Sequence, residues 1–170
     1  MWQYRPITWF LLYLLGILIQ SALLPQIFPI GYVPNVVVSV TVLIALYESP
    51  SRGMVAGLMG GLMQDLWAGR VIGLNAVTFA LLGWCVGYIQ SKIVSDQVFV
   101  PGLVAGLSQV AVVPFQWLLL TLAGYHFGWL SFVRPLPVWI LFSMFFTPGL
   151  GGVLGFRSRR ELDNGFSATG

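Results

Sequence analysis

Few residues in this chain are equipped for chemistry, and the sharpest of them is Asp65. It closes the run GMVAGLMGGLMQD, in which Gly53, Gly57, Gly61 and Asp65 fall at i, i+4, i+8 and i+12 of a helix. They therefore share one slowly drifting stripe, with Ala56, Gly60 and Gln64 beside it and large apolar residues on the other side. A carboxylate in such a setting has three readings. It can be an end-of-helix acid wetted at an interface, a depth that Trp67 suggests. It can pair with Arg70 or with the amide of Asn75 and so fix the turn that follows. It can relay protons or serve transport. The third use needs a second acid or a basic partner within the apolar runs, and the sequence offers none.

The remaining candidates are sparser. His126 is the sole histidine and sits between Tyr125 and Phe127. With no second His, Cys or acid at ligand spacing, it reads as part of an aromatic cluster and not as a metal ligand. The single cysteine, Cys85, allows no intrachain disulfide and reads as a small buried hydrophobe. The segment Gly69-Arg-Val-Ile-Gly73 is not a phosphate loop, because it lacks the preceding strand, the Lys and the Ser/Thr. No nucleophile is paired with a base, and there is no acidic pair. No enzyme, metal or cofactor is expected. Gln109 and Gln116, seven apart, lie near one helix face and are placed to line a small cavity or to bond to neighbouring backbone. Gln20 and Ser21 are placed to do the same.

The elements that must position these residues belong to a membrane. Of 170 residues, 58% are hydrophobic and 8% charged, against roughly 25% charged in soluble domains. Mean hydropathy is +0.88. The net charge is +3, but the basic residues are scattered through loops, which sets topology and does not make a nucleic-acid footprint. Apolar runs predict six helices over residues 7–24, 36–47, 53–67, 72–89, 98–123 and 136–156. The first reads as an uncleaved span, since no small-x-small cleavage site follows it. Pro34 is suited to start the second helix, Glu48 to Arg52 make a charged turn, and Asn75 is suited to cap the fourth helix. Pro114 should kink the fifth and Pro148 break the sixth. The second and third spans are short. Counted from Pro34, the second reaches about 21 Å against a hydrocarbon core of about 30 Å. Either both cross where the membrane is thinned or they form a re-entrant hairpin; crossing is the reading adopted here.

Six spans with the N-terminus in the cytoplasm leave Arg5, Arg52, Lys92, Arg157, Arg159 and Arg160 inside, with Arg70 and Arg134 outside. The expectation is an all-α integral membrane protein with both termini cytoplasmic. Residues 1–156 form a single six-helix domain and residues 157–170 a basic, disordered tail. The small-residue stripes serve either packing among these helices or docking of another protein's membrane helix. The structural or partner-interface candidates are Gly53, Gly57, Gly61, Gln64, Asp65, Arg70, Gly73 and Asn75.

An ordered set of residues carries a resemblance. Gln20-Ser21 with Leu24-Pro25, then Pro34-Asn35, then the run from Gly57 to Asp65, then Gly73-Leu74-Asn75-Ala76 resemble the bacterial rod-shape-determining protein family MreD, over roughly residues 17–90. Asn35 departs from the aspartate the family often has there. The resemblance implies a non-enzymatic, multi-pass component of the bacterial cytoplasmic (inner) membrane that acts as a scaffold in the cell-elongation machinery and supports peptidoglycan synthesis and rod shape. It implies an MreC-like bitopic protein as partner and, indirectly, a RodA-type glycosyltransferase, its transpeptidase and MreB filaments. It also implies a fold similar to the substrate-binding subunits of energy-coupling-factor transporters. That similarity supplies the alternative function, a small-molecule-binding subunit of a membrane transporter, with Asp65, Arg70, Asn75, His126 and Arg134 as candidates to line an outward pocket.

Overall fold

The computed structural model describes residues 6–29, 31–68, 72–90, 99–125 and 128–153. Among the described residues the regular structure is all helical: α1 (Pro6–Leu18), a π-helical turn (Ile19–Leu23), α2 (Leu24–Ile27), α3 (Val36–Tyr47), α4 (Pro50–Ala68), α5 (Leu74–Gln90), α6 (Val100–Leu122), α7 (Trp129–Val133) and α8 (Leu136–Val153). α1, the π turn and α2 make one rod. The extra residue of the π turn accommodates Pro25, which has no N–H to give to the preceding turn.

α3 is the axis of the molecule. Residues 36–45 are all buried, and α1, α4, α5, α6 and α8 pack around it. Its run of valines would suit a strand in water. In an apolar bundle a helix satisfies every backbone group within its own segment, and that requirement outweighs propensity. Its start is doubly capped. The Asn35 side chain accepts from the Val37 and Val38 amides at 3.1 and 3.4 Å, and Gln20 Oε1 accepts from the Val36 amide at 2.9 Å. The helix therefore begins one residue after Asn35, not at Pro34, because an oxygen-bearing cap is worth more there than a preset φ.

Contacts around α3 show the helices alternating in direction. Gly16 lies by Val36 and Val40, and Tyr13 bonds Thr41, so α1 opposes α3. Gly53, Gly57 and Gly61 meet Gly83, Phe79 and Asn75 in turn, so α4 opposes α5. Gly102 lies against Met144 and Gly106 against Ile140, so α6 opposes α8. Ser39 meets Ser143 and Leu43 meets Gly151, so α3 and α8 run parallel. The start of α1 and the end of α8 thus lie at the same end of the bundle.

Several local expectations need correction. α4 starts at Pro50, not Gly53, because proline fits the first helical position and Arg52 then reaches back one turn to Glu48, 3.2 Å away. The segment before α8 is not all loop, since α7 occupies residues 129–133. Pro148 does not break α8, which runs on to Val153. The carbonyl that loses its N–H to Pro148 is that of Met144, and Gly102 sits directly on it, so the neighbouring helix covers the defect. Cys85 is exposed on the outer side of α5, not buried. His126 and the chain beyond residue 153 lie outside the described residues.

Candidate functional site

The turn between α4 and α5 is built on Asp65. The side chain comes from the last turns of α4 and is 1% exposed. Its Oδ2 accepts from the Gly73 amide at 2.8 Å and the Ala76 amide at 3.1 Å. Its Oδ1 accepts from the Asn75 amide at 3.1 Å and from Asn75 Nδ2 at 2.8 Å. All four donors belong to the first turn of α5 or the residue before it. One carboxylate thus caps a helix to which it is not adjacent in sequence, satisfying free N–H groups and facing the positive end of the helix dipole. Backbone N–H groups thus reach both oxygens of this buried side chain. Gly73 makes the geometry possible, because its φ of +100° lies where side-chain-bearing residues are strained.

Its position in the sequence suggests the Asn75 side chain as the cap of α5, but that side chain does not cap it. Instead Asp65 does so, and Asn75 sits inside the helix as a relay: its Nδ2 donates to Asp65, and its Oδ1 accepts from Gln116 Nε2 of α6 at 2.6 Å. The network Asp65–Asn75–Gln116 ties α4, α5 and α6 together at one end of the bundle. Arg70, the other suggested partner of Asp65, lies outside the described residues.

The small-residue stripe sets this turn at its height. A methyl group on Gly57 would enter the Phe79 carbonyl, and one on Gly61 would enter the backbone at Asn75 and Ala76. A methyl on Gly53 would lie 2.5 Å from the Gly83 carbonyl. The stripe is therefore spent inside the protein, on contact between the α4 and α5 backbones. Gly60, on the neighbouring stripe, receives the ring of the fully buried Tyr13, which bonds to Thr41 at 3.1 Å. Gln64 lies partly buried beside Asp65, and its Oε1 is enclosed without a hydrogen-bond partner among the described residues.

A second polar cluster joins α3, α6 and α8, where Gln109 Nε2 donates to Ser143 Oγ at 3.2 Å and Ser39 Oγ lies 3.4 Å from the same oxygen. Both glutamines of α6 therefore bond to side chains of other helices. Sequence spacing placed them on one face but had no means of naming partners 34 and 41 residues away. The described residues line at least two apolar hollows. One, between α1 and α8 with α3 as its floor, is lined by apolar side chains such as Leu12, Val40 and Phe146. The other is lined by Phe28, Val138, Leu141, Phe142, Phe145 and Phe146. Of the residues suggested for an outward pocket, Asp65 and Asn75 bond to each other, Arg134 is exposed, and Arg70 and His126 are not described. Among the described residues no group of His, Cys, Asp and Glu is placed to hold a metal ion.

A family model described as rod shape-determining protein MreD matches residues 2–148. The match extends well beyond residues 17–90, the part in which individual residues carry the resemblance. No curated protein and no solved structure matches the chain.

Proposed function

The chain belongs to the MreD family of rod shape-determining proteins, and from that premise we propose that it is a non-enzymatic scaffold of the bacterial inner membrane that binds an MreC-like bitopic partner. In this reading the six helical rods all cross the bilayer, with both termini in the cytoplasm. Three of them, Pro6–Ile27, Val100–Leu122 and Trp129–Gly152, have the length and hydropathy to span unaided. The alternation of helix directions supports the rest, and Arg52 at the end opposite the Asp65 turn fits a cytoplasmic end there. The Asp65 turn then faces outward.

The observation that carries the scaffold reading is the use made of the polar residues. The Asp65 carboxylate, Asn75 and Gln116 at the outer end bond to one another and to backbone N–H groups. Such an arrangement fixes the shape of the turn. Asp65 acts by holding the α4–α5 turn, and with it the outer ends of three helices, in the form the partner meets. The partner in turn links this protein to a RodA-type glycosyltransferase, its transpeptidase and MreB filaments. The test is rescue of rod shape in cells depleted of the protein. Wild type should restore rods and Asp65→Leu should not; rods restored equally by both would remove Asp65 from the account.

A further inference from the structure

Arg134 is exposed at the end of the bundle that carries the Asp65 turn, and among the described residues its guanidinium makes no ion pair. The two described acids do not neutralise it. Glu48 lies at the opposite end beside Arg52, and Asp65 is engaged by the first turn of α5. Trp129 and Trp139 stand on either side of Arg134 in the chain. The Trp129 ring packs edge-on against Trp117 at 5.3 Å, and Trp139 Nε1 donates to the Tyr32 carbonyl at 3.2 Å. Tryptophans collect at membrane interfaces, which puts Arg134 at headgroup depth.

An apolar hollow runs from there along one face of α8. Arg134 has helical dihedrals, and the Trp139 amide donates to the Pro135 carbonyl at 3.1 Å, so the helical path reaches back to Arg134. Arg134, Val138, Leu141, Phe142 and Phe145 then fall at i, i+4, i+7, i+8 and i+11, one face of the helix. The four apolar members, with Phe146 and with Phe28 at the end of α2, line a hollow of about 540 Å³. Ligand sites commonly measure about 300–1,000 Å³. Phe28 meets Phe142 edge-on at 6.0 Å, and Phe142 stacks on Phe146 at 4.8 Å.

The length of the hollow decides what it fits. From Arg134 to Phe145 is about 17 Å at 1.5 Å per residue, and half of a hydrocarbon core is about 15 Å. Past Phe146 the adjoining hollow between α1 and α8 holds only about 20 Å³, room for about one water. A transmembrane helix would need a seat through both leaflets, whereas an acyl chain needs the depth of one.

We propose that this hollow binds an anionic phospholipid from the leaflet at the Asp65 end, its phosphate held by the Arg134 guanidinium and one acyl chain lying along Val138, Leu141 and Phe145 to Phe146. A guanidinium fork takes phosphate oxygens in pairs, and a net negative headgroup answers a cation that no described acid pairs. The site requires α8 to cross the bilayer, which the length and hydropathy of Trp129–Gly152 allow.

The test places the full chain in dioleoylphosphatidylcholine nanodiscs with a small fraction of phosphatidylglycerol or of phosphatidylcholine, either one carrying a diazirine in the middle of an acyl chain. After irradiation the labelled residues are mapped by peptide mass spectrometry. The phosphatidylglycerol probe should label residues 138–146 several-fold more than the phosphatidylcholine probe does, and more than it labels the exposed faces of α5 and α6. Arg134→Gln should lower that labelling to the phosphatidylcholine level, and Arg134→Lys should keep most of the preference. Arg134 is exposed, so neither variant disturbs packing. Equal labelling by the two probes, or even labelling around the bundle, would mean ordinary boundary lipid and would overturn the proposal. A phosphatidylglycerol preference that survives Arg134→Gln would overturn it too. Protection of residues 138–146 from both probes would mean that a second copy covers this face, with the same consequence.

Discussion

Replacing Asp65 with leucine removes the acceptor for four donors at once. Three of these are backbone amides, at Gly73, Asn75 and Ala76, and Ala76 is 2% exposed, so water has no ready access to its amide. A hydrogen bond to a charged group contributes about 1.5–3 kcal/mol, and an orphaned buried donor costs about 1–3 kcal/mol. The contributions overlap, and the outermost donor can be rehydrated, so the loss for Asp65→Leu comes to about 3–5 kcal/mol. Asparagine at this position looks mild from sequence, because an amide also accepts hydrogen bonds. The geometry is less forgiving. Each carboxylate oxygen accepts from two donors, so whichever way an amide is turned its NH2 faces two N–H groups. Asp65→Asn should therefore cost about 2–3 kcal/mol. Amide hydrogen exchange across residues 72–78 in nanodiscs reads this directly. At about 1.4 kcal/mol per tenfold, Asp65→Leu should accelerate exchange by on the order of a hundredfold or more, and Asp65→Asn by an intermediate factor. Exchange within threefold of wild type in the leucine variant would refute the view that the carboxylate holds the turn.

Gly57→Leu and Gly61→Leu drive a side chain into the α5 backbone and should sharply reduce folded yield on size-exclusion chromatography, whereas Leu58→Ile, on the exposed side of α4, should match wild type. Gly73→Ala keeps the amide that donates to Asp65 but forces a methyl-bearing residue to φ of +100°; a loss of about 1–2 kcal/mol, seen as a lower midpoint of thermal unfolding, is expected. Compartment-sensitive fusions at Gly170 and in the loop at Phe127 should read cytoplasmic and periplasmic respectively, and a periplasmic signal from Gly170 would overturn the proposed orientation.

Much of the α4–α5 unit was legible in the sequence because its determinants are local. The spacing of Gly53, Gly57 and Gly61 names a small helical face, and one lone acid near an asparagine names a polar turn. The bounds of α3 were legible too, since Asn35 and Glu48 flank an unbroken apolar run. What escaped depends on distance along the chain. Gln20 caps a helix 16 residues away, Gln116 completes the Asp65 network from 41 residues away, and Ser39 meets Ser143 across 104 residues. A lone sequence encodes such partners only as polar residues that must bond somewhere. Pro148 misled for the same reason, because its remedy, Gly102, lies on another helix. Cys85 misled because an apolar run does not say which of its residues face neighbouring helices and which face outward.

On the proposed function, this chain works by binding an MreC-like protein through a shape that Asp65 maintains. The most direct measurement is co-purification of an MreC-like protein with the tagged chain from solubilised membranes, comparing wild type with Asp65→Leu at matched amounts of folded protein. Stoichiometric recovery with wild type and strong loss with Asp65→Leu is the predicted result. Recovery of no elongation component by the wild-type chain would contradict the scaffold reading.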